Sequence, residues 1–152
     1  MNKAALTEAD LSGLLSDYLL NGRAQERWTI KSVEVEDDRL VAEIAMVETY
    51  VSDTDEGGFH LTIFSSLEFL SQLMIIYAHI WAGMDEKVRE GWMVESSIKC
   101  LGSIRSATNI RVEMDVLKMR KRGPNLYCHA NFTISDDLSD ARFEASLKGF
   151  LS

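Results

Sequence analysis

Three residues in the middle of the chain have side chains suited to acid–base chemistry: His60, Glu68 and Gln72. The imidazole of histidine has an ordinary pKa near neutrality, so His60 is the best candidate for a general base. Glu68 could act as a base if burial raised its pKa. Gln72 comes four residues after Glu68, so on a helix the two would share one face, where the amide could hold a water molecule or orient a substrate. The three residues form a candidate catalytic group.

Each of these residues also has a purely structural explanation. Glu68 stands three residues after Ser65, which is the spacing of a capping box. His60 would then be a loop residue with a satisfied hydrogen bond. Gln72 would be a helix residue that needs partners in either case, because an unpaired buried amide costs about 1–3 kcal/mol. The sequence leaves both explanations open.

The segment that would position these side chains is predicted to be a long central helix over residues 63–84. Ser65 is the expected N-cap, and Gly83 is the expected stop. Apolar side chains point in nearly every direction around the axis, which is typical of a buried helix. Polar residues such as Glu68 and Gln72 interrupt the apolar run, so the pattern does not favour a membrane span.

Strand patterns lie on both sides of this helix. The first strand alternates with one slip between Ile30 and Val33, which predicts a β-bulge. Near the N-terminus, a stripe of leucines predicts a short amphipathic helix over residues 7–20. The predicted elements of this single domain, residues 1–152, are an N-terminal helix within 1–22, a hairpin at 27–51, the central helix at 63–84 and four strands at 92–152.

Composition excludes several classes of protein. The net charge of −8 argues against a nucleic-acid binder, which would normally carry a basic face. Cys100 and Cys128 lack metal-ligand spacing and are expected to be reduced core thiols in a cytoplasmic protein. No glycine-rich phosphate loop, zinc spacing or nucleophile elbow is present, so any chemistry is expected to need neither metal nor cofactor.

The order of elements resembles the hot-dog fold, an α+β fold in which a curled antiparallel sheet wraps around one long central helix. A curled sheet around one apolar helix also satisfies every apolar face predicted above. Inside this fold, His60 and Gln72 resemble the helix motif of the type III long-chain fatty acyl-CoA thioesterase family, which has a His-Phe pair, then a Glu, then Asn-Gln-Leu at the matching distance.

Other positions extend the resemblance. Tyr50 stands where the family has an upstream tyrosine, and Gly91-Trp92 resembles a Gly-Trp pair that follows its helix. Ser71 replaces the asparagine of the motif. The resemblance implies hydrolysis of fatty acyl thioesters, with Tyr50, Ser71 and Trp92 near the substrate.

A second resemblance points to a different reaction. The stretch from Glu68 to Gln72 is similar to the Glu-Ala-Leu-Ala-Gln helix segment of β-hydroxyacyl-ACP dehydratases, in which the glutamate works with a histidine from the preceding loop. His60 is the candidate partner here. Both families act on acyl thioesters carried by CoA or acyl carrier protein, so the resemblances agree on the substrate class.

Such a reaction needs stabilisation of the negative charge that develops on the thioester carbonyl oxygen. Backbone N–H groups at a helix N-terminus provide it, and one donor is worth roughly 3 kcal/mol in the barrier. Phe64 and Ser65 in the first turn, and Gly58 in the loop before it, are the expected donors. Glycine at position 58 would let the backbone approach a ligand closely.

A basic run between Lys118 and Arg122 interrupts the acidic chain at a predicted hairpin. It could meet the phosphates of CoA or the acidic face of a carrier protein. A solvated turn that protects a sheet edge is the alternative, and lysine suits that role.

The sequence therefore predicts a hot-dog protein that processes fatty acyl thioesters. Hydrolysis is the favoured reaction, and dehydration is the alternative. The resemblance implies a homodimer with sites near the subunit interface. The partner is expected to be acyl-CoA or an acyl carrier protein, and neither nucleic acid nor a membrane. A non-catalytic module that binds acyl chains or carrier protein is the alternative from another class.

Overall fold

The computed structural model describes residues 6–16, 19 and 26–152. Its elements, in chain order, are α1 Glu8–Leu11, β1 Arg27–Glu36, β2 Arg39–Glu48, α2 Ile63–Trp81, β3 Gly91–Leu101, β4 Ile110–Arg122, β5 Asn125–Asp136 and β6 Arg142–Leu151.

The six strands form one antiparallel sheet in the order β1-β2-β4-β5-β6-β3. The predicted bulge in β1 is confirmed, because the register with β2 shifts between Ile30 and Ser32. Tight turns join β1 to β2 and β4 to β5, where Asp37 and Gly123 adopt positive φ angles of 51° and 59°. The order leaves β1 and β3 as the two edges of the sheet.

The core lies between one face of the sheet and one side of α2. Strand residues alternate between the core and the outer face, as period-two patterns require. Phe69, Leu70 and Leu73 of α2 have no exposed surface and pack in this core. The hydroxyl of Tyr77 donates to the carbonyl of Asp37 at 3.0 Å and so ties the helix to the β1–β2 turn.

The central helix begins and ends close to the predicted residues, but its cap differs. Thr62 is the N-cap, and its hydroxyl accepts from the N–H of Ser65. Ser65 therefore lies inside the first turn, and the predicted capping box between Ser65 and Glu68 is wrong. The helix stops at Trp81, and Gly83, at φ 69°, provides the predicted break.

The prediction that α2 is buried all round is only partly correct. Ile63, Phe64, Ile80 and Trp81 at the two ends are 41–50% exposed. By length and composition α2 could cross a membrane, but half of that window is buried inside the protein, and the core helix of a globular protein passes the same test.

The N-terminal helix is shorter than predicted. Thr7 is the N-cap and forms a capping box with Asp10, but the helix ends at Leu11. Leu14 and Leu15, expected on its apolar stripe, are exposed beyond that end. Residues 17, 18 and 20–25, which include the last residues of the predicted helix, lie outside the described residues.

One loop anchor depends on Asp136 at the end of β5. Its carboxylate accepts from the N–H groups of Arg105 at 2.8 Å and Ser106 at 2.9 Å, and from those of Leu138 and Ser139. Burial alone would raise the pKa of Asp136, but these backbone hydrogen bonds outweigh it and the pKa is lowered. The ionised carboxylate thus fastens the loop that follows β3, which presents Arg105.

We expect Asp136→Asn to lower the free energy of unfolding by about 1–3 kcal/mol at neutral pH, because an amide cannot accept all four hydrogen bonds. A folded-state pKa below the unfolded value means that the stabilisation is complete above about pH 4 and is lost as the pH falls through the folded pKa. Denaturant unfolding at several pH values measures this. The neighbouring Asp137→Asn makes the same change at an exposed carboxylate that, in the described part of the chain, accepts a single hydrogen bond, from Asn109, which an amide oxygen can still accept, and it is the control. Equal stability of the two variants at pH 7 would contradict the assignment.

Candidate active site

A histidine–aspartate pair lies in the loop directly before α2. The Nδ1 atom of His60 is 2.6 Å from Oδ2 of Asp55. Because a carboxylate can only accept, Nδ1 of His60 carries the proton, and Nε2 of the neutral ring has a free lone pair. The imidazole is 45% exposed, so a ligand can reach it from solvent. This arrangement is that of an oriented general base.

Asp55 is itself held by several groups. Its carboxylate accepts from the N–H of Gly57 at 3.0 Å and lies 3.3 Å from Nη1 of Arg105. The hydrogen bond with His60, followed by those from Gly57 and Arg105, holds the pKa of Asp55 below its ordinary value. Asp55 therefore stays ionised near neutral pH and fixes the orientation of His60.

Arg105 connects this loop to the segment between β3 and β4. Besides Asp55, its Nη1 donates to the carbonyl oxygens of Gly58 and Phe59 at 3.3 and 3.4 Å. A Cβ atom at Gly57 would lie 2.3 Å from the Arg105 guanidinium. Any other residue at position 57 would therefore displace the guanidinium from this place. The loop is thus fixed by a residue that lies far from it in the sequence.

The two glycines do not supply the expected N–H donors. The N–H of Gly57 donates to the Asp55 carboxylate, and that of Gly58 donates to the Asp55 carbonyl at 3.2 Å. Both groups are therefore used within the loop. The N–H of Ser65, another expected donor, is used as well, because it donates to the Thr62 hydroxyl that caps α2 at 3.2 Å. Phe64 in the same turn is 43% exposed.

Tyr50 and Ser65 meet at a residue that the sequence did not indicate. Glu26 is buried, and its carboxylate accepts from the Ser65 hydroxyl at 3.0 Å and the Tyr50 N–H at 3.4 Å. The Ser65 side chain is completely buried. Both predicted substrate-binding residues thus hold the end of β2 and the start of β1 against the helix N-terminus.

Glu68 faces β1 and not the His60 loop. Its carboxylate accepts from the indole N–H of Trp28 at 3.0 Å, and the Trp28 ring packs edge-on against Phe69. Gln72 lies half-buried one turn further along. The predicted pairing of His60 with Glu68 is absent from the hydrogen bonds of the described residues.

Ser71 and Trp92 do come together, at an apolar cavity beside the second half of α2. The cavity has a volume of about 90 Å³, and Met74, Ile75 and Cys128 also line it. Ser71 turns its hydroxyl back onto the Leu67 carbonyl at 2.6 Å, which leaves the cavity wall largely apolar. A hydrocarbon chain fits this chemistry better than a polar group.

The two cysteines differ in their surroundings. Cys128 is buried, as predicted, and burial raises the pKa of its thiol to about 12, so it is not a nucleophile at neutral pH. Cys100 is exposed on the edge strand β3, so the expectation that both are core thiols is wrong. Within the described ranges, no group of three or more His, Cys, Asp or Glu side chains could hold a metal ion.

The site residues that sequence reasoning missed are Asp55, Arg105 and Glu26. Asp55 lies only five residues before His60, and this spacing could have suggested the pair. Arg105 lies 50 residues from Asp55, and Glu26 lies 39 residues from Ser65, so no local pattern points to either.

No family model and no curated protein matches this sequence. Solved structures do match it. A hypothetical thioesterase protein with coenzyme A from Streptococcus pneumoniae is 14% identical, with a TM-score of 0.53 over 83% of this chain and 86% of that one. A thioesterase from Haemophilus influenzae is 12% identical, with a TM-score of 0.55 over 99% and 93% of the two chains.

A dehydratase heterocomplex from Xenorhabdus doucetiae also matches, with 12% identity and a TM-score of 0.58 over 81% of this chain and 82% of that one. Identities this low establish the shared fold and leave the reaction open. The sheet order, the single long helix and these similarities together confirm the predicted architecture: the chain has the hot-dog fold.

Proposed function

We propose that this chain hydrolyses fatty acyl thioesters of CoA or acyl carrier protein, with His60 as general base and Asp55 as the residue that orients it. One observation carries the proposal: the 2.6 Å contact between His60 Nδ1 and Asp55 Oδ2, in the loop directly before the helix N-terminus. The thioesterases among the solved structures of similar fold support the substrate class.

The proposed reaction uses groups that the loop and the helix already present. Nε2 of His60 takes a proton from water as the water oxygen attacks the thioester carbonyl. The oxyanion forms near the positive end of the α2 dipole. The C–S bond then breaks, and the leaving thiolate takes the proton from His60. The Asp55 carboxylate stabilises the transient imidazolium, and the products are a fatty acid and a free thiol.

The apolar cavity provides a place for the acyl chain. Ser71, at its near side, lies nine residues beyond the Thr62 cap, which is about 14 Å along a helix axis. A zigzag of carbon–carbon bonds advances about 1.3 Å per carbon. An acyl chain whose carbonyl is held at the helix N-terminus therefore needs about eleven carbons to reach the cavity.

Release of free thiol from a series of acyl-CoA substrates tests the proposal. We expect kcat/KM to rise at least tenfold between the octanoyl and tetradecanoyl chains, because only the longer chain enters the cavity, where each methylene buries apolar surface worth up to about 0.8 kcal/mol. Activity that is independent of chain length would contradict the role of the cavity. Failure to release thiol from any substrate would contradict the hydrolase.

Dehydration of a β-hydroxyacyl thioester is the second candidate, because an oriented base can also remove an α-proton and because a dehydratase shares the fold. A dehydratase mechanism that uses Glu68 as its acid–base group is disfavoured, because the Glu68 carboxylate accepts a hydrogen bond from the Trp28 indole. In that mechanism Glu68→Gln would abolish turnover.

We also propose that two chains pair through β3. This strand forms one edge of the sheet, and Trp92, Val94 and Leu101 on it are 43–61% exposed. A long edge strand with apolar side chains is a ready template for another strand. Antiparallel pairing of two β3 strands would satisfy the open edge in both chains.

We expect the protein to elute as a dimer in size-exclusion chromatography with light scattering. Val94→Lys combined with Leu101→Lys should raise the dimer dissociation constant at least tenfold, because the added charges would face each other across the interface. Both side chains are exposed in the single chain, so its fold should survive the change. A monomeric wild-type protein would refute the pairing.

A further inference from the structure

A row of side chains crosses the outer face of the sheet at the β4–β5 hairpin. Arg120 lies opposite Tyr127, Tyr127 opposite Phe150, and Phe150 opposite Trp92. Directly opposed residues share one face of a sheet. Leu126 and Cys128 on either side of Tyr127 are buried, so the row points away from the core.

Two more cations share this face. Lys118 and Arg122 lie two residues before and after Arg120 on β4, so they have the same orientation. We call the surface the basic aromatic face. It consists of Lys118, Arg120, Arg122, Tyr127, Phe150 and Trp92.

The arginines of this face differ from the others. Within residues 26–152, Arg27, Arg39, Arg105, Arg111 and Arg142 each pair with a carboxylate, and Arg89 donates to the Pro124 carbonyl. Arg120 and Arg122 make neither contact with that part of the chain, and Lys118 has no ion pair there. In a chain of net charge −8, these cations are a local surplus that an anion would complement.

The aromatic half of the face offers flat ring surfaces beside that charge. The Tyr127 and Phe150 rings pack at a centroid distance of 5.2 Å and an interplanar angle of 60°. Trp92 is 61% exposed, and its indole N–H donates to the Ser152 hydroxyl at 3.0 Å, which restrains the ring. Exposed aromatic rings stack on nucleobases, and arginine binds phosphate oxygens in pairs.

We propose that the basic aromatic face binds a nucleotide that carries at least two phosphate groups. The base would stack on Trp92 or Tyr127, and the phosphates would contact Arg120, Arg122 and Lys118. An acidic peptide would use the charge but not the rings, which is why a nucleotide fits better.

Trp92 and Phe150 also line the apolar cavity, so the face adjoins the far end of the proposed acyl site. Along β5, about 30 Å at 3.3 Å per residue separates Tyr127 from Asp136, which anchors Arg105 near His60. The face therefore lies away from the proposed reacting carbonyl, and nucleotide binding there goes beyond the proposed hydrolysis.

Calorimetric titration with adenosine 3′,5′-bisphosphate, with pyrophosphate and with an acidic carrier protein tests the proposal without any need for turnover. We expect the nucleotide to bind at least fivefold more tightly than pyrophosphate and to weaken as salt is added. Arg120→Glu with Arg122→Glu should weaken nucleotide binding about thirtyfold, at about 1 kcal/mol for each exposed ion pair.

Lys31→Glu with Lys99→Glu is the matched control, because it makes the same charge change at exposed positions on the two edge strands. If the control variant weakened nucleotide binding as much as the Arg120→Glu, Arg122→Glu variant, the binding would reflect general charge attraction, and the proposed site would be overturned. Equal affinity for nucleotide and pyrophosphate, or binding of the carrier protein alone, would also overturn it. Because catalysis is not measured, a failed hydrolase proposal leaves this test intact.

Discussion

Replacement of His60 by alanine should lower kcat/KM for acyl thioester hydrolysis by about 10²- to 10⁴-fold, the usual contribution of a general base. The ring is 45% exposed, and Asp55 is its hydrogen-bond partner among the residues that the structure describes. The thermal stability of the variant should therefore change little. Product formation under saturating and limiting substrate would show that kcat falls with kcat/KM.

The matched control for this change is Glu68→Gln. Its carboxylate accepts a hydrogen bond from Trp28, which the amide oxygen of glutamine can still accept. We expect this variant to retain activity within about threefold. Full activity of His60→Ala together with inactive Glu68→Gln would reverse the roles of the two residues and favour the dehydratase.

Asp55→Asn should lower kcat by about 10²-fold, because an amide can present its NH₂ group to His60 and favour the wrong tautomer. The corresponding change in a buried serine-protease triad is worth up to about 10⁴, and the partial exposure of Asp55 reduces it here. The variant also removes the negative charge beside the imidazolium. Turnover at saturating substrate, measured beside the thermal stability of the variant, checks this expectation.

Comparison with Arg105→Met separates orientation of His60 from a structural role of the loop. Arg105→Met would loosen the loop by removing the contacts with the carbonyls of Gly58 and Phe59, yet it would leave the Asp55 carboxylate beside His60. We expect that variant to lose stability but to keep a higher kcat than Asp55→Asn. An unchanged kcat in Asp55→Asn, or an equal loss of kcat in both variants, would contradict the orienting role.

The strands were predictable because apolar side chains on the core-facing side of a sheet recur at every second residue of the sequence. Alternation through Ile110, Val112 and Met114 is a local signal, and all three residues are completely buried. The helix cap was not predictable in the same way. Thr62, Ser65 and Ser66 are all suited to capping, and Ser65 is instead held inside the helix by Glu26, from a distant part of the chain.

The candidate site was predictable only in part. His60 stands out by its chemistry and its place before a helix, and Ser71 and Trp92 were expected near a substrate and line one cavity. The ionised carboxylate of Asp55 and its contact with Arg105 depend on tertiary packing. For Glu68 the local spacing was misleading. It suggested a helix cap or an acid–base group, whereas the folded chain places Trp28 of β1 against the Glu68 carboxylate.

The central claim is the reaction, and one measurement tests it most directly. Purified protein is incubated with saturated, 3-hydroxy and 2-enoyl thioesters of CoA and acyl carrier protein, and the products are identified by mass spectrometry. We predict free fatty acid and free thiol from the wild type and neither from His60→Ala. Gain or loss of water with the thioester intact would contradict hydrolysis, and substrates that bind but return unchanged would contradict an enzyme.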